Sequence, residues 1–561
     1  MKMSGSKAIL ESFLKENVKV IFGYPGGAIM PFYDALYHYE KKIRHILVRH
    51  EQGASHAAEG YARITGEPGV CVVTSGPGAT NLVTGIADAM MDSVPLVCVT
   101  GQVAKAYLGT DAFQETDVMG VTAPITKWNY QVTDAFEIAD VLAKAFYIAR
   151  SGRPGPVVVD ITKNAQFESC DFRYPKKINL PGYVVPQKGD EIVCKEAAQL
   201  INSARKPYVL IGHGVLISKA QAELKQFLEK GGVPAASTLH GLSALPTSHP
   251  NYVGMLGMHG NYAPNVLTNE ADVIIAVGMR FDDRVTGRLK DYATKAKVIH
   301  IDIDPAEMNK NVPVAIELVG DAKLVLREIT KHLKRKNRRS WFGEFKSYAK
   351  KEYEKVTKKE FAPTTPKVKM AEAIDMLSKK TKGKAVIVAD VGQHQMIAAR
   401  FYRFADTNSY ITSGGAGTMG FGVPAAMGAK VAAPKRQVIA VVGDGSFQMT
   451  LQELGTIAQE KLPVKIVILN NNYLGMVRQW QQMFFEKRYS FTYLKNPDFI
   501  AIAKGFGIKA EKVEKREQVS KALDRMLKSD NPYLLDIAVE TEHNVFPMVP
   551  TGASVTEIRL E

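Results

Sequence analysis

Cysteine is scarce. Four are spread over 561 residues (Cys71, Cys98, Cys170, Cys194), with no C-x-x-C pair and no zinc-finger spacing. This excludes a disulfide framework and predicts reduced thiols in a cytoplasmic setting. Long apolar runs are missing too. The longest, such as Val438 to Val442 and Val464 to Leu469, have the length of buried strands and fall far short of the ~20 residues a membrane helix needs. The first eighteen residues lack the apolar core of a signal peptide and the Arg/Ser bias of a transit peptide, and they read as an amphipathic helix. No RNA or DNA motif accompanies the basic residues, and aromatics are not interleaved with them, which disfavours nucleic-acid binding despite a net charge of +15. The excess is local. Residues 331–360 hold 12 Lys/Arg against 4 Asp/Glu, a net of +8, which leaves +7 on the other 531 residues. That segment is expected to be an exposed, helix-rich linker.

What is present is an α/β rhythm. Short apolar, β-branched runs end in Gly-rich turns and are followed by segments of helical period: Val20-Ile-Phe before Gly23, Val70-Cys-Val-Val before Ser75-Gly-Pro-Gly, Leu96-Val-Cys-Val before Thr100-Gly. Continuous apolar strands of this kind suit parallel sheets covered on both faces. The rhythm resumes after residue 205 and again after 380, and the first and third blocks look alike. The expected architecture is three consecutive doubly wound parallel-sheet domains at 1–170, 190–345 and 366–545, with a C-terminal arm at 546–561. At roughly 150 residues per domain, length agrees. Residues 171–190 and 331–366 read as linkers.

Two strand ends carry the chemistry. Gly443-Asp444-Gly445 closes the apolar run 438–442, and Asn470-Asn471-Asn472 closes 464–469. A helical segment opening near Ser446 and passing through Leu451, Leu454 and Ile457 joins them. In a β-α-β unit both strand ends project from the same sheet edge, so one carboxylate and one amide oxygen stand side by side. That is a donor set for a hard cation with phosphate oxygens completing its shell. Either half alone reads as an Asp in a turn or a polar strand cap. Together they match the thiamin-diphosphate motif, G-D-G followed ~25–30 residues later by N-N. Gly415-Ala-Gly-Thr-Met-Gly420 formally fits G-x-G-x-x-G, but Lys435 stands where an acidic ribose partner belongs, and Gly212-His-Gly214 lacks the third glycine, so nicotinamide dinucleotide binding is rejected.

Over essentially its whole length the sequence resembles thiamin-diphosphate enzymes, and within them the catalytic subunits of acetohydroxyacid (acetolactate) synthases. The resemblance implies Asp444, Asn471 and the carbonyl of Tyr473 as magnesium ligands. It implies Glu51, in Arg49-His50-Glu51, as the carboxylate that activates the pyrimidine ring, drawn from a different subunit than Asp444. Met419 would be the apolar prop that bends the cofactor, and the Gly417 carbonyl would hold its amino group, with Gln393, His394, Gly445, Ser446 and Met476 as further contacts. Gly26 is implied near the thiazolium, Phe113 and Gln114 by the reacting carbon, Lys163 and Arg284 in the access channel, and Trp480 as the residue favouring 2-oxobutanoate. Gly278-Met-Arg280-Phe-Asp282-Asp283-Arg284 resembles the family's flavin signature. It implies structural FAD held by Arg153, Thr238, Leu239, His240, Gly241, Gly257, Met258, His259, Gly278, Arg280, Asp282, Arg284, Asp302, Ile303 and Asp321.

The implied reaction decarboxylates pyruvate and ligates the two-carbon unit to pyruvate or 2-oxobutanoate, at the start of branched-chain amino-acid synthesis. A flavin-bearing relative such as pyruvate oxidase is the alternative. Implied partners are a second copy of the chain, with a tetramer as the larger option, and a small regulatory subunit. Ala104 and Ala106 depart from the family's usual Pro and Arg, and Asn472-Tyr473 from its commoner Gln-His.

Overall fold

The computed structural model describes residues 1–561. Three six-stranded sheets, each wholly parallel, follow one another along the chain. In the first, the spatial order is Arg44–Leu47, Val20–Tyr24, Gly69–Val73, Leu96–Gln102, Pro156–Thr162, Trp128–Val132. In the third it is Tyr410–Thr412, Val386–Ala389, Val438–Gly443, Lys465–Asn470, Tyr533–Ala538, Lys509–Val513. Numbered by chain position, both read 2-1-3-4-6-5, so the likeness of rhythm between the first and third blocks is a likeness of topology. The middle sheet runs Tyr252–Met255, Ala235–Ser237, Pro207–Ile211, Val273–Val277, Lys297–Asp302, Ile316–Val319. That order is 3-2-1-4-5-6, the doubly wound arrangement whose crevice accepts dinucleotides. It is present here although the glycine fingerprint is not.

The outer sheets share a core. One apolar cluster joins Phe22, Ile46, Cys71 and Val158 of the first to Val388, Val438, Ala440, Val442 and Ile466 of the third. Its centre is a pair of helices, α1 (Glu51–Thr65) and α3 (Gly422–Ala432), which pack face to face beside α2 (Val83–Asp92). Small residues set their approach: a Cβ on Gly60 would overlap the Ala425 carbonyl, and one on Gly428 the Ala57 carbonyl. Because 60 meets 425 and 57 meets 428, the helices run antiparallel. The middle sheet has its own cores on its two faces. All four cysteines are free and buried, and no helix is long and apolar enough to cross a membrane.

Two expectations need correction. The basic segment is helical (Arg339–Glu352, then to Glu360), but it is not simply an exposed linker. Trp341 and Phe345 are buried in the middle unit's core, with Phe345 packed on Tyr208 at 5.1 Å between ring centroids. Its lysines line only the outer face, and apolar positions at helical spacing made the difference. The helix joining Asp444 to Asn471 opens at Asp444, near Ser446 as expected, but it breaks at Thr450 into a 3-10 turn (Leu451–Glu453) and a second short helix (Leu454–Gln459).

Candidate active site

In doubly wound sheets, ligands bind beyond the strand ends where the strand order reverses. In the first sheet that point lies between Val20–Tyr24 and Gly69–Val73. The turns that follow hold Gly26 and Thr74–Gly78. A Cβ on Gly26 would stand 2.5 Å from Thr74 Cγ2, and Thr74 Oγ1 accepts the Ala28 N–H at 3.2 Å. Glu51 opens α1 behind His50, whose Nδ1 caps the helix by accepting the Gln52 N–H at 3.1 Å. Its Oε2 accepts from Asn81 Nδ2 at 2.9 Å, and a Cβ on Gly78 would lie 3.6 Å from its Oε1. Gln114 adopts φ +62° and abuts Gly76. Gly26, Glu51 and Gln114 therefore share one sheet edge. Phe113 is 89% exposed in the single chain. Lys163 opens the helix Lys163–Phe167, which Asn164 ties to the loop leading to Phe113 by accepting the Lys105 N–H at 2.8 Å.

In the third sheet the reversal lies between Val386–Ala389 and Val438–Gly443. Asp390, fully buried, accepts the N–H groups of Val391, Gly420 and Gly422 at 2.7–3.0 Å and so fixes the turn that carries Met419. Ser446 Oγ donates to the Val391 carbonyl at 3.2 Å. Asp444 Oδ2 accepts from Asn496 Nδ2 at 2.7 Å, and the same amide reaches Asn470 Oδ1 and Asn472 Oδ1 at 3.1 and 3.0 Å. Asn471 Oδ1 accepts the Tyr473 N–H at 3.1 Å, while its Nδ2 donates to Gln393 Oε1 at 3.3 Å. Two features fit a metal-bound diphosphate here. Burial pushes Asp444 up to about 6, a cost a cation would offset. His394 is buried with Nε2 unpartnered, and burial holds its pKa down to about 3, leaving a neutral ring with an unused polar atom.

A cavity of about 1170 Å³ connects this half-site to the middle sheet. Met419, Gly417, Met476 and Trp480 line one end. The other end lies over the reversal between Pro207–Ile211 and Val273–Val277. There Gly278, at φ +59°, lets its backbone meet Gly214 where any side chain would collide. Every residue expected to hold a flavin lines this cavity except Gly241, which lies in the adjoining turn with Thr238, Leu239 and His240. Burial lifts Asp302, on the wall, to about 6, and His259 is buried with both ring nitrogens unpartnered. The unpartnered nitrogens of His259 fit a polar cofactor, and the cavity's reach from the middle sheet to Met419 fits one that spans both. The C-terminal arm closes one rim, where Val549 donates its N–H to the Met258 carbonyl at 2.7 Å and Arg288 pairs with Glu557 at 2.7 Å.

One chain does not bring everything together. Glu51 does not line the cavity. It begins α1 beside Glu453, whereas Met419 and Asp390 lie at the start of the antiparallel α3. From the 57–60 contact the two diverge along opposite directions and end on the order of 20 Å apart. Several supporting groups were not expected from the sequence: Asp390, Asn496, Asn81 and Thr74. Asn81 and Asn496 act only through tertiary contact, whereas Thr74 and Asp390, each directly after an apolar strand, carried a local signal.

Comparison with known proteins agrees with this layout. The thiamine pyrophosphate enzyme family matches in three parts: its N-terminal TPP binding domain at residues 3–121, its central domain at 194–329 and its C-terminal TPP binding domain at 390–537. The acetolactate synthase large subunit of Corynebacterium glutamicum is 46% identical over all of this chain and 90% of its own length. The Escherichia coli isozyme 2 large subunit is also 46% identical, over 99% of each chain. A probable acetolactate synthase large subunit of Methanocaldococcus jannaschii is 45% identical over 99% of this chain and 95% of its own. The chain belongs to the acetolactate synthase large subunits. The pyruvate oxidase alternative is thereby not favoured. Within the acetolactate synthase family, a TPP enzyme's first and third domains correspond to the two like sheets found here, and its central domain to the sheet of different order.

Proposed function

We propose that this chain condenses 2-oxoacids: it decarboxylates pyruvate and joins the remaining two-carbon unit to a second pyruvate, giving 2-acetolactate, or to 2-oxobutanoate, giving 2-aceto-2-hydroxybutanoate. The observation that carries the reading is the pair of half-sites at the reversal points of the two like sheets, Glu51 on one and Asp444 with Asn471 on the other. Thiamin diphosphate, when bound, supplies the carbon nucleophile for both steps. The chain's residues supply the rest. Asp444, Asn471 and the Tyr473 carbonyl would hold magnesium, and His394, Gln393, Gly445 and Ser446 would surround the diphosphate. Glu51, held by Asn81 at 2.9 Å, would be the carboxylate that holds or gives up a proton facing the pyrimidine ring. Met419, with Gly417 and Met476 beside it on the cavity wall, would support the cofactor's rings. Gly26, Phe113, Gln114, Lys163 and Trp480 surround the 2-oxoacid. The cavity over the middle sheet would hold FAD in a structural role.

Because Glu51 and Asp444 lie at opposite ends of the α1/α3 pair, a working site takes one from each of two chains, and a homodimer is the smallest active unit. Domain limits at 1–170, 190–345 and 366–545, a small regulatory subunit and a cytoplasmic setting complete the reading. The last has support in four free, buried thiols. The test is colorimetric acetoin formation, after acid treatment, from pyruvate with thiamin diphosphate, Mg²⁺ and FAD. Product that disappears in Glu51→Gln is expected, whereas no product from the loaded wild type would overturn the reading.

A further inference from the structure

Asp88 and Asp92 stand one turn apart on α2, on one face of the helix. Both are buried to the last few per cent. Neither belongs to a strand-end motif, yet both reach out of the first domain into the turn 413–418 of the third. Ser413 Oγ donates to Asp88 Oδ1 at 2.7 Å, and the same hydroxyl oxygen accepts the Thr418 N–H at 2.8 Å. Asp92 accepts the Gly414 N–H at 3.0 Å and the Gly415 N–H at 2.7 Å. That turn leads directly into Gly417 and Met419, on the cavity wall.

Asp92 does more. Arg63, on α1, donates to its Oδ2 at 2.7 Å, and its carbonyl lies 3.1 Å from His213 Nδ1. His240 Nε2, from the flavin end of the cavity, lies 3.0 Å from its Oδ1. His240 and His213 are stacked, with ring centroids 5.3 Å apart. A single residue thus touches all three domains on the wall of the cavity, between its two ends. Surface ion pairs rarely matter, but a fully buried carboxylate taking several charge-assisted hydrogen bonds is costly to alter and rigid while intact.

We propose that Asp88 and Asp92 are positioning residues. They clamp the 413–418 turn so that Gly417 and Met419 face the thiamin site, and through His240 Asp92 couples that site to the flavin end. The proposal rests on the function proposed above. It extends that function to residues that touch neither the reacting atoms nor a metal.

The experiment uses the full-length dimer. Asp92→Asn, Asp88→Asn, Ser413→Ala and the double variant Asp88→Asn/Ser413→Ala are purified and checked for fold by circular dichroism. Thiamin diphosphate affinity (with Mg²⁺) is measured by quenching of intrinsic fluorescence, and flavin retention by absorbance after gel filtration. Asp92→Asn is expected to weaken thiamin diphosphate binding tenfold or more and also to lose flavin. Asp88→Asn and Ser413→Ala are expected to weaken thiamin diphosphate alone, and the double variant no more than the worse single one. kcat should fall while the KM for pyruvate changes little. Asp92→Glu is the second variant should Asp92→Asn not fold, and it should recover flavin retention only partly. Cofactor affinities within twofold of wild type in the folded variants, or an additive double variant, would overturn the proposal. A wild type that binds no thiamin diphosphate would instead overturn the function on which it rests.

Discussion

At the scale of single residues, burial decides what a few polar groups can do. Glu51 is held by Asn81 at the mouth of one half-site. Glu51→Gln keeps that geometry and removes the exchangeable proton, so kcat is predicted to fall on the order of 10²- to 10⁴-fold with the fold intact, read from acetoin formation and circular dichroism. Trp480 lines the cavity end that holds Met419 and Met476. Trp480→Leu is predicted to lower the preference for 2-oxobutanoate over pyruvate by about 1–3 kcal/mol, seen as a changed product ratio when both compete. Glu453 gives a pH prediction. It accepts the Arg49 and His50 N–H groups and the Thr456 hydroxyl, yet burial still lifts its pKa to about 7. The native state therefore holds its proton more tightly than the unfolded chain does between pH ~4.5 and ~7, and stability drains away as pH rises through that window. The total is on the order of 3 kcal/mol. A Gln at this position keeps the two backbone donors on its oxygen and turns its amide to Thr456. Glu453→Gln should gain in urea midpoint over wild type, more at pH 7.5 than at pH 5. An equal difference at both pH values would contradict this.

At the scale of elements, the α1/α3 crossing is what places the half-sites. Gly428→Leu would drive a side chain into the Ala57 carbonyl and is predicted to cost about 1–3 kcal/mol or more, read as a lowered thermal midpoint. The basic helix from Arg339 tells the complementary story. Neutralising Lys346, Lys350 and Lys351 on its outer face should leave turnover intact, whereas Trp341→Ala, in the core, should destabilise by about 3–5 kcal/mol. Elements of this kind divide sharply in how readable they were. Strands such as Val273–Val277 and Val438–Gly443 stood out because a buried parallel strand must be apolar throughout. Asp444 and Asn471 stood out because they end such strands. Phe345 and Trp341 did not, because the crowd of basic residues around them hid a helical apolar stripe. Asn496, Asp88 and Asp92 did not, because nothing in a sequence tells which distant polar group a side chain will meet, and Asp390 read only as a strand end.

At the scale of the molecule, three units of one α/β rhythm do different work. The two outer sheets repeat one strand order and present complementary halves of a site, while the middle one, of a different order, forms the floor of the long cavity. The antiparallel α1/α3 pair binds the outer units tightly within a chain and, by doing so, keeps Glu51 away from the Asp444 half-site of that chain. On the proposed reading, catalysis takes a second copy, and two-fold symmetry gives two equivalent sites. Subunit mixing tests this most directly. Glu51→Gln and Asp444→Ala chains, each inactive alone, are mixed in equal amounts under conditions that exchange subunits, with exchange confirmed by co-purification of differently tagged chains. Random pairing makes about half the dimers mixed, each with one site built wholly from intact residues, so recovery of about a quarter of wild-type activity is predicted. Mixed dimers that form and remain inactive would contradict it.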